Sequence, residues 1–238
     1  MRAAAKHTSP WARSTRTPPR RAARVARRAV EAAGGSDILV NNAGTYPMAD
    51  WWRSRPEEWI ESYNLDVVSC VRLIQALVPA MVERGWGRVI NVSSASAVRS
   101  PANFFPIYSA SKAAQPSLAG HLAVELAGTG VTVNTCSPGP VSSRNNVDFL
   151  TRQTAEAGRP TEWASVERDY VDTLMQDPPS GRMTRPDEVP PVIAYLASPL
   201  SDAGTGANFV IDGGYALTGF KRQASSLGTR PGARAAAE

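Results

Sequence analysis

Short apolar runs alternate with longer stretches of helical periodicity along most of this chain. Ile38-Leu39-Val40, after Asp37, is the pattern of a buried parallel strand, and polar Asn41-Asn42-Ala43-Gly44 closes it. Pro56 to Arg84 repeats its apolar positions at helical spacing, with Pro56, Glu57 and Glu58 at its start and Gly85 at its end. Gly87 to Val92 predicts a second buried strand, and Ile107 to Ala127 a helix stopped by Gly128 and Gly130. Val131 to Asn134 predicts a third strand, followed by a loop at Ser137-Pro138-Gly139-Pro140. Residues 144–182 are polar, with one short helix expected around Glu162–Met175. Pro186 to Ala197 predicts another helix, with Asp187 and Glu188 in its first turn. Asn208 to Ile211 is the last predicted strand, closed by Asp212-Gly213-Gly214. Short apolar strands alternating with helices predict an α/β fold, a parallel sheet with right-handed crossovers.

Composition changes that picture mainly at the ends. The net charge of +5 is concentrated in residues 1–28, which hold nine basic groups and no acid, so the remainder carries 17 basic against 21 acidic groups. Residues 1–20 lack apolar periodicity and are expected to be a disordered basic tail. An organelle transit peptide, a nucleic-acid-binding arm and a tail left by a misplaced start all fit that tail. No apolar stretch follows it, which excludes a secretory signal. Residues 21–33 predict a helix ended by Gly34-Gly35, opening a domain over 21–220, with a second disordered tail over 221–238. The longest apolar candidate for a membrane span, Val67 to Val82, is broken by Arg72, Gln75 and Pro79, so no span is expected. Two separated cysteines, Cys70 and Cys136, suit a reducing, cytoplasmic setting, and two histidines, His7 and His121, make no metal site.

Candidate chemistry centres on Tyr108-Ser109-Ala110-Ser111-Lys112. On a helix, i and i+4 share a face, so the phenol and the ammonium can converge. An ammonium beside a phenol stabilises the phenolate and is expected to lower its pKa, fitting Tyr108 for proton exchange with a substrate oxygen. The chain has only three lysines, Lys6, Lys112 and Lys221, so Lys112 is the one lysine of the expected folded body. Asn91-Val92-Ser93-Ser94 ends a strand in two hydroxyls, at the edge where open parallel sheets collect ligands, and Ser94 is placed to orient a carbonyl toward Tyr108.

Asn41-Asn42-Ala43-Gly44, Asn64, Asn91-Val92-Ser93-Ser94, Tyr108-x-x-x-Lys112, Ser137-Pro138-Gly139 and Asp212-Gly213-Gly214 together resemble, in order and approximate spacing, the short-chain dehydrogenase/reductase family. The resemblance covers roughly residues 21–218 and implies a Rossmann-like sheet with flanking helices. It implies an NAD(P)-dependent oxidoreductase that passes a hydride between NAD or NADP and a small alcohol or ketone. Tyr108 would be the general acid/base, Lys112 would depress its pKa and hold the nicotinamide ribose, and Ser94 would bind the reacting oxygen. Asn64, within a helix over Trp59–Val71, would hold a water linking Lys112 to solvent. Asn42, Ala43 and Gly44 would line the cofactor, with Pro138, Gly139, Val141 and Ser143 against the nicotinamide. Association into a homo-dimer or tetramer through the two long helices is also implied. Separately, no membrane partner is expected, and the lack of interleaved aromatics apart from Trp11 argues against nucleic acid as a partner of the basic arm.

Two departures from the family pattern carry consequences. Ser94 and Tyr108 are 14 residues apart, one more than the commonest family spacing, which leaves Ser96 as a competitor for the serine role. The family's Thr-Gly-x-x-x-Gly-x-Gly phosphate loop has no counterpart in the 238 residues. The expectation is a sheet without the family's first three strands, Asp37–Val40 at its edge, and impaired cofactor binding. A non-enzymatic remnant that associates with full-length homologues is the second reading. Phe149, Trp163, Tyr170, Leu174 and Met175 fall in the family's substrate-lid segment, where they either line a pocket for a partly hydrophobic carbonyl compound or pack the lid onto the body. Phe104 and Phe105 stand just before Tyr108 and are candidates for the same pocket.

Overall fold

The computed structural model describes residues 35–47, 49–99, 105–176 and 178–217, together with 28 and 31. Four strands, β1 (Ile38–Asn41), β2 (Gly87–Val92), β3 (Val131–Pro138) and β4 (Asn208–Ile211), form one parallel sheet in the order β1-β2-β3-β4. β2 is buried along its whole length, as expected of a central strand covered on both faces. β1 has one partner among the described strands and alternates, with Leu39 and Asn41 inward and Ile38 and Val40 more than a third exposed.

Helices cover both faces. Pro56–Tyr63 (α1), a π-helical segment Asn64–Val68 and Ser69–Glu83 (α2) run on as one long helix. α2 and α3 (Pro106–Glu125) bury Leu77, Val78, Met81 and Ala119 against Leu39, Val89 and Val133. On the other face, α6 (Pro190–Ala197) packs Leu196, Val192 and Ile193 against Ile90, Cys136 and Phe209. Val89 and Ile90 thus serve opposite cores, the period-two consequence of a pleated strand. Between β3 and α6 lie α4 (Arg144–Glu156) and α5 (Trp163–Tyr170), the latter continuing into a second π-helical segment, Val171–Met175.

The α/β class, the parallel sheet and the four strands agree with the sequence reading, and several boundaries do not. β3 runs on to Pro138 because Phe209, Val210 and Ile211 offer partners to Cys136, Ser137 and Pro138. Proline is tolerated there at the last ladder position, where its missing N–H breaks little. α4 lies in a stretch where no helix was expected; Ser143 caps it, its hydroxyl accepting from the Asn146 N–H at 3.5 Å. The helix expected from Pro186 begins as a short 3₁₀ turn and restarts at Pro190. The 28-residue run Pro56–Glu83 reaches a mean hydropathy of 1.7 over an 18-residue window, long and apolar enough for a membrane span by length and composition, against the sequence expectation. Its apolar stripe packs on the sheet. The predicted helix over 21–33 lies outside the described residues except for Arg28 and Glu31, which are helical, and both predicted tails lie outside them entirely.

Candidate active site

The site forms where β2 ends and α3 begins. Ser94 leaves β2 in extended conformation and caps a short 3₁₀ turn, Ala95–Ala97, its Oγ accepting from the Ser96 N–H at 3.2 Å and the Ser96 hydroxyl at 3.0 Å. Pro106 starts α3, so Tyr108 falls in its first turn and Lys112 one turn further on the same face. The Ser94 hydroxyl lies close enough to the Tyr108 phenol to act on its acidity. The Lys112 ammonium lies 5.8 Å from the centre of the Tyr108 ring and donates to the Val92 carbonyl at 2.9 Å. Ser93, the other hydroxyl of the pair, donates to the Lys112 backbone carbonyl at 2.7 Å. Ser94, Tyr108 and Lys112 are therefore brought together, and Ser96 stands behind Ser94.

Asn64 is not part of this cluster. It sits at the exposed start of the π-helical segment, and the residue that reaches the interior is Asp66, fully buried. Two residues along a helix turn about 200°, so one of this pair faces solvent when the other faces the core. Asp66 accepts from the Thr45 N–H at 2.8 Å, the Ser62 hydroxyl at 3.2 Å and the Ser111 hydroxyl at 2.6 Å. Its backbone carbonyl, within the π-helical segment, accepts from Gln115 at 2.5 Å and from the Cys70 thiol at 3.1 Å. A lone acid inside the apolar run Leu65–Val71 was the available signal, but helical periodicity alone does not register a π turn.

Burial decides the electrostatics. It pushes the Tyr108 phenol up from its ordinary value; the Ser94 hydrogen bond works against that, and the Asp66 charge adds to it. The expected depression of Tyr108 by Lys112 is not found: desolvation sets the direction, and the opposing group is Ser94 rather than Lys112. Burial also lowers Lys112, while Asp66 and then Cys70 hold it up.

Asn42, Ala43 and Gly44 leave the end of β1 exposed beside this cluster. A Cβ on Gly44 would lie 3.0 Å from the Lys112 Nζ and 3.2 Å from the Asp66 Oδ1, so only glycine leaves that space open. Pro138, Gly139, Val141 and Ser143 are half-buried at the end of β3. Gly139 is required by proximity, since a Cβ there would meet Asp212 at 2.7 Å. Val141 bridges to Thr184, and the Ser143 hydroxyl is turned to the start of α4. The backbone around Gly44 is accessible, and the glycine keeps a space open next to Lys112 and Asp66.

Aromatic side chains gather at the mouth. Tyr46 packs edge-on to Tyr108, with ring centres 4.8 Å apart, and lies 4.4 Å from Phe105. Of the residues expected in the lid segment, Met175 packs with Val171 into a core with Ala95, Met183 and Tyr215, flanked by Trp163 and Tyr170. Leu174 is half-exposed. Burial raises Tyr170 to about 12. Phe104 lies outside the described residues.

A hydroxyl, a phenol and an ammonium gathered at the carboxyl edge of a parallel sheet, with helices on both faces, is an arrangement suited to the nucleotide-dependent α/β oxidoreductases. The comparisons with known proteins agree. A family model described as enoyl-(acyl carrier protein) reductase matches residues 17–216. An uncharacterized oxidoreductase, YvaG of Bacillus subtilis, is 33% identical over 187 residues, covering 77% of this chain and 69% of the relative. The acetoacetyl-CoA reductase of Allochromatium vinosum is also 33% identical, over 195 residues, 81% of this chain and 71% of that protein. L-sorbose reductase from Gluconobacter frateurii, solved with NADPH and L-sorbose, superposes with a TM-score of 0.77 at 29% identity, covering 84% of this chain and 74% of that one. The chain belongs to the short-chain dehydrogenase/reductase family of oxidoreductases.

Proposed function

We propose that Ser94, Tyr108 and Lys112 interconvert a ketone and an alcohol in this chain, with NAD or NADP as the redox partner. The observation that carries this reading is the convergence of the three side chains, with the Ser94 hydroxyl beside a half-buried phenol that lies one helical turn from a buried ammonium. NADH or NADPH, when bound, supplies the hydride. The Ser94 hydroxyl donates to the substrate carbonyl oxygen and fixes its direction. Tyr108 Oη gives its proton to the same oxygen, and the phenolate left behind is stabilised by Lys112 and Ser94. A phenol is already protonated at neutral pH and burial pushes its pKa further up, so the site is set for the reductive direction there. Oxidation of the alcohol needs the phenolate and is favoured at alkaline pH.

Asn42, Ala43, Gly44, Pro138, Gly139, Val141 and Ser143 are the residues assigned to the nicotinamide end. Asp66 replaces Asn64 as the polar group on the helix beside Lys112. The 238 residues contain no glycine-rich phosphate loop, so cofactor affinity of this chain is weak in our reading. Tyr46 and Phe105 beside Tyr108 favour a partly hydrophobic carbonyl substrate. Exposed Ile60 and Tyr63 on α1 and Val124 on α3 support the homo-oligomer expected from the family. Titrating the purified chain with NADH and NADPH by calorimetry tests the affinity statement. Weak binding without saturation at micromolar concentrations is expected, and a micromolar dissociation constant for either nucleotide overturns it.

A further inference from the structure

Two side chains of opposite formal charge are enclosed in this site. Asp66 is 0% exposed and Lys112 5%. Buried charges persist only when paired or richly hydrogen-bonded. Thr45, Ser62 and Ser111 give the carboxylate three neutral donors, and Val92 gives the ammonium one neutral acceptor. These contacts disperse each charge and cancel neither. Gly44 separates the two groups: the Cβ it lacks would be 3.0 Å from the ammonium nitrogen and 3.2 Å from the carboxylate oxygen, which brackets their separation at about 6 Å or less. Opposite charges at that distance in a dry interior attract strongly. The other titratable groups facing the pair are Cys70 on α2, Tyr108 on α3 and, through Tyr108, Tyr46 after β1.

We propose that Asp66 is a positioning residue whose carboxylate is the counter-ion of Lys112, keeping the buried amine charged across the gap that Gly44 leaves open. A buried lysine without a counter-ion tends to shed its proton. Asp66 thereby preserves the charge that stabilises the Tyr108 phenolate, a consequence that rests on the oxidoreductase reading, whereas the pairing itself does not.

The scarcity of lysine makes the pairing measurable. The chain has three lysines, so a sample labelled with 13C at the lysine Cε gives three resonances, and Lys112→Arg identifies the one from Lys112 by its loss. Its titration is followed in the full 238-residue chain and in Asp66→Asn and Cys70→Ser variants. The midpoint is expected to fall by about tenfold or more in proton affinity in Asp66→Asn, and by clearly less in Cys70→Ser. An unmoved midpoint in Asp66→Asn, or an equal shift in Cys70→Ser, overturns the proposal. If Asp66→Asn does not fold, the wild-type chain decides: an ammonium signal persisting at about pH 8 supports the pairing, and a neutral amine there refutes it. No cofactor or turnover enters this readout, so it stands or falls separately from the oxidoreductase reading.

Discussion

The hydroxyl of Ser93 donates to the backbone carbonyl of Lys112, the carbonyl that Pro116 leaves without its helical partner. In an α-helix the acceptor at Lys112 would receive the N–H of residue 116, which proline lacks, and the proline ring also pushes that carbonyl outward. Ser93 fills the vacancy from the end of β2 while the Lys112 ammonium reaches back to Val92. Lys112 is thus fastened at both its backbone and its side chain to the end of β2, the strand that delivers Ser94.

Ser93→Ala leaves a buried carbonyl with no donor. A loss of about 1–3 kcal/mol in stability is expected, read from urea denaturation, because an unsatisfied buried acceptor carries its full desolvation penalty. A loss within a few tenths of a kcal/mol would show that the helix closes over the gap by itself.

Ser94 and Ser96 lie side by side, and only one is assigned to the substrate oxygen. With acetoacetyl-CoA as a probe carbonyl and millimolar NADPH, Ser94→Ala is expected to slow turnover by about 10²-fold or more, and Ser96→Ala by less than about tenfold. Reversed effects would give the role to Ser96.

At Gly44 the demand is for space. Gly44→Ala places a methyl group against the Lys112 ammonium and the Asp66 carboxylate and is expected to cost about 1–3 kcal/mol in thermal or urea denaturation. NADPH oxidation should fall as well, because the intruding methyl displaces Lys112. A variant as active and stable as the wild type would show that the space is not used.

Glu188 offers an acid-stability test outside the Ser94, Tyr108 and Lys112 cluster. Arg182 grips its carboxylate at 2.6 and 2.9 Å and the Arg185 N–H donates at 2.6 Å, pulling its pKa from 4.5 down to about 2. A carboxyl depressed on folding contributes stability that is present above 4.5 and lost as pH falls toward 2. Glu188→Gln should therefore flatten the dependence of stability on pH in that window, measured by urea unfolding at several pH values. An unchanged slope would mean the pair is screened out in solution.

The sheet was legible because buried parallel strands write themselves as short apolar runs: β2 and β4 fall on the residues the pattern named. β3 was read short because its last four residues are held by pairing to β4, a contact 73 residues away in sequence that no local signal reports. Ser94, Tyr108 and Lys112 were legible as a strand end and an i, i+4 pair. Asn64 was not separable from Asp66, because the π-helical turn resets which face points inward. Ser93 and Thr45 escaped for another reason: each acts through a backbone atom or a carboxylate that only the fold brings near. The direction of the Tyr108 shift was misread because sequence shows the neighbouring charge but not the depth of burial.

The most direct test of the catalytic claim compares the wild-type chain with Tyr108→Phe for oxidation of millimolar NADPH by acetoacetyl-CoA and by L-sorbose. Removing one hydroxyl should leave the melting curve nearly unchanged. The account predicts measurable turnover of at least one carbonyl by the wild type and a drop of about 10²–10⁴-fold in the variant. Turnover that survives the loss of the Tyr108 hydroxyl would contradict it.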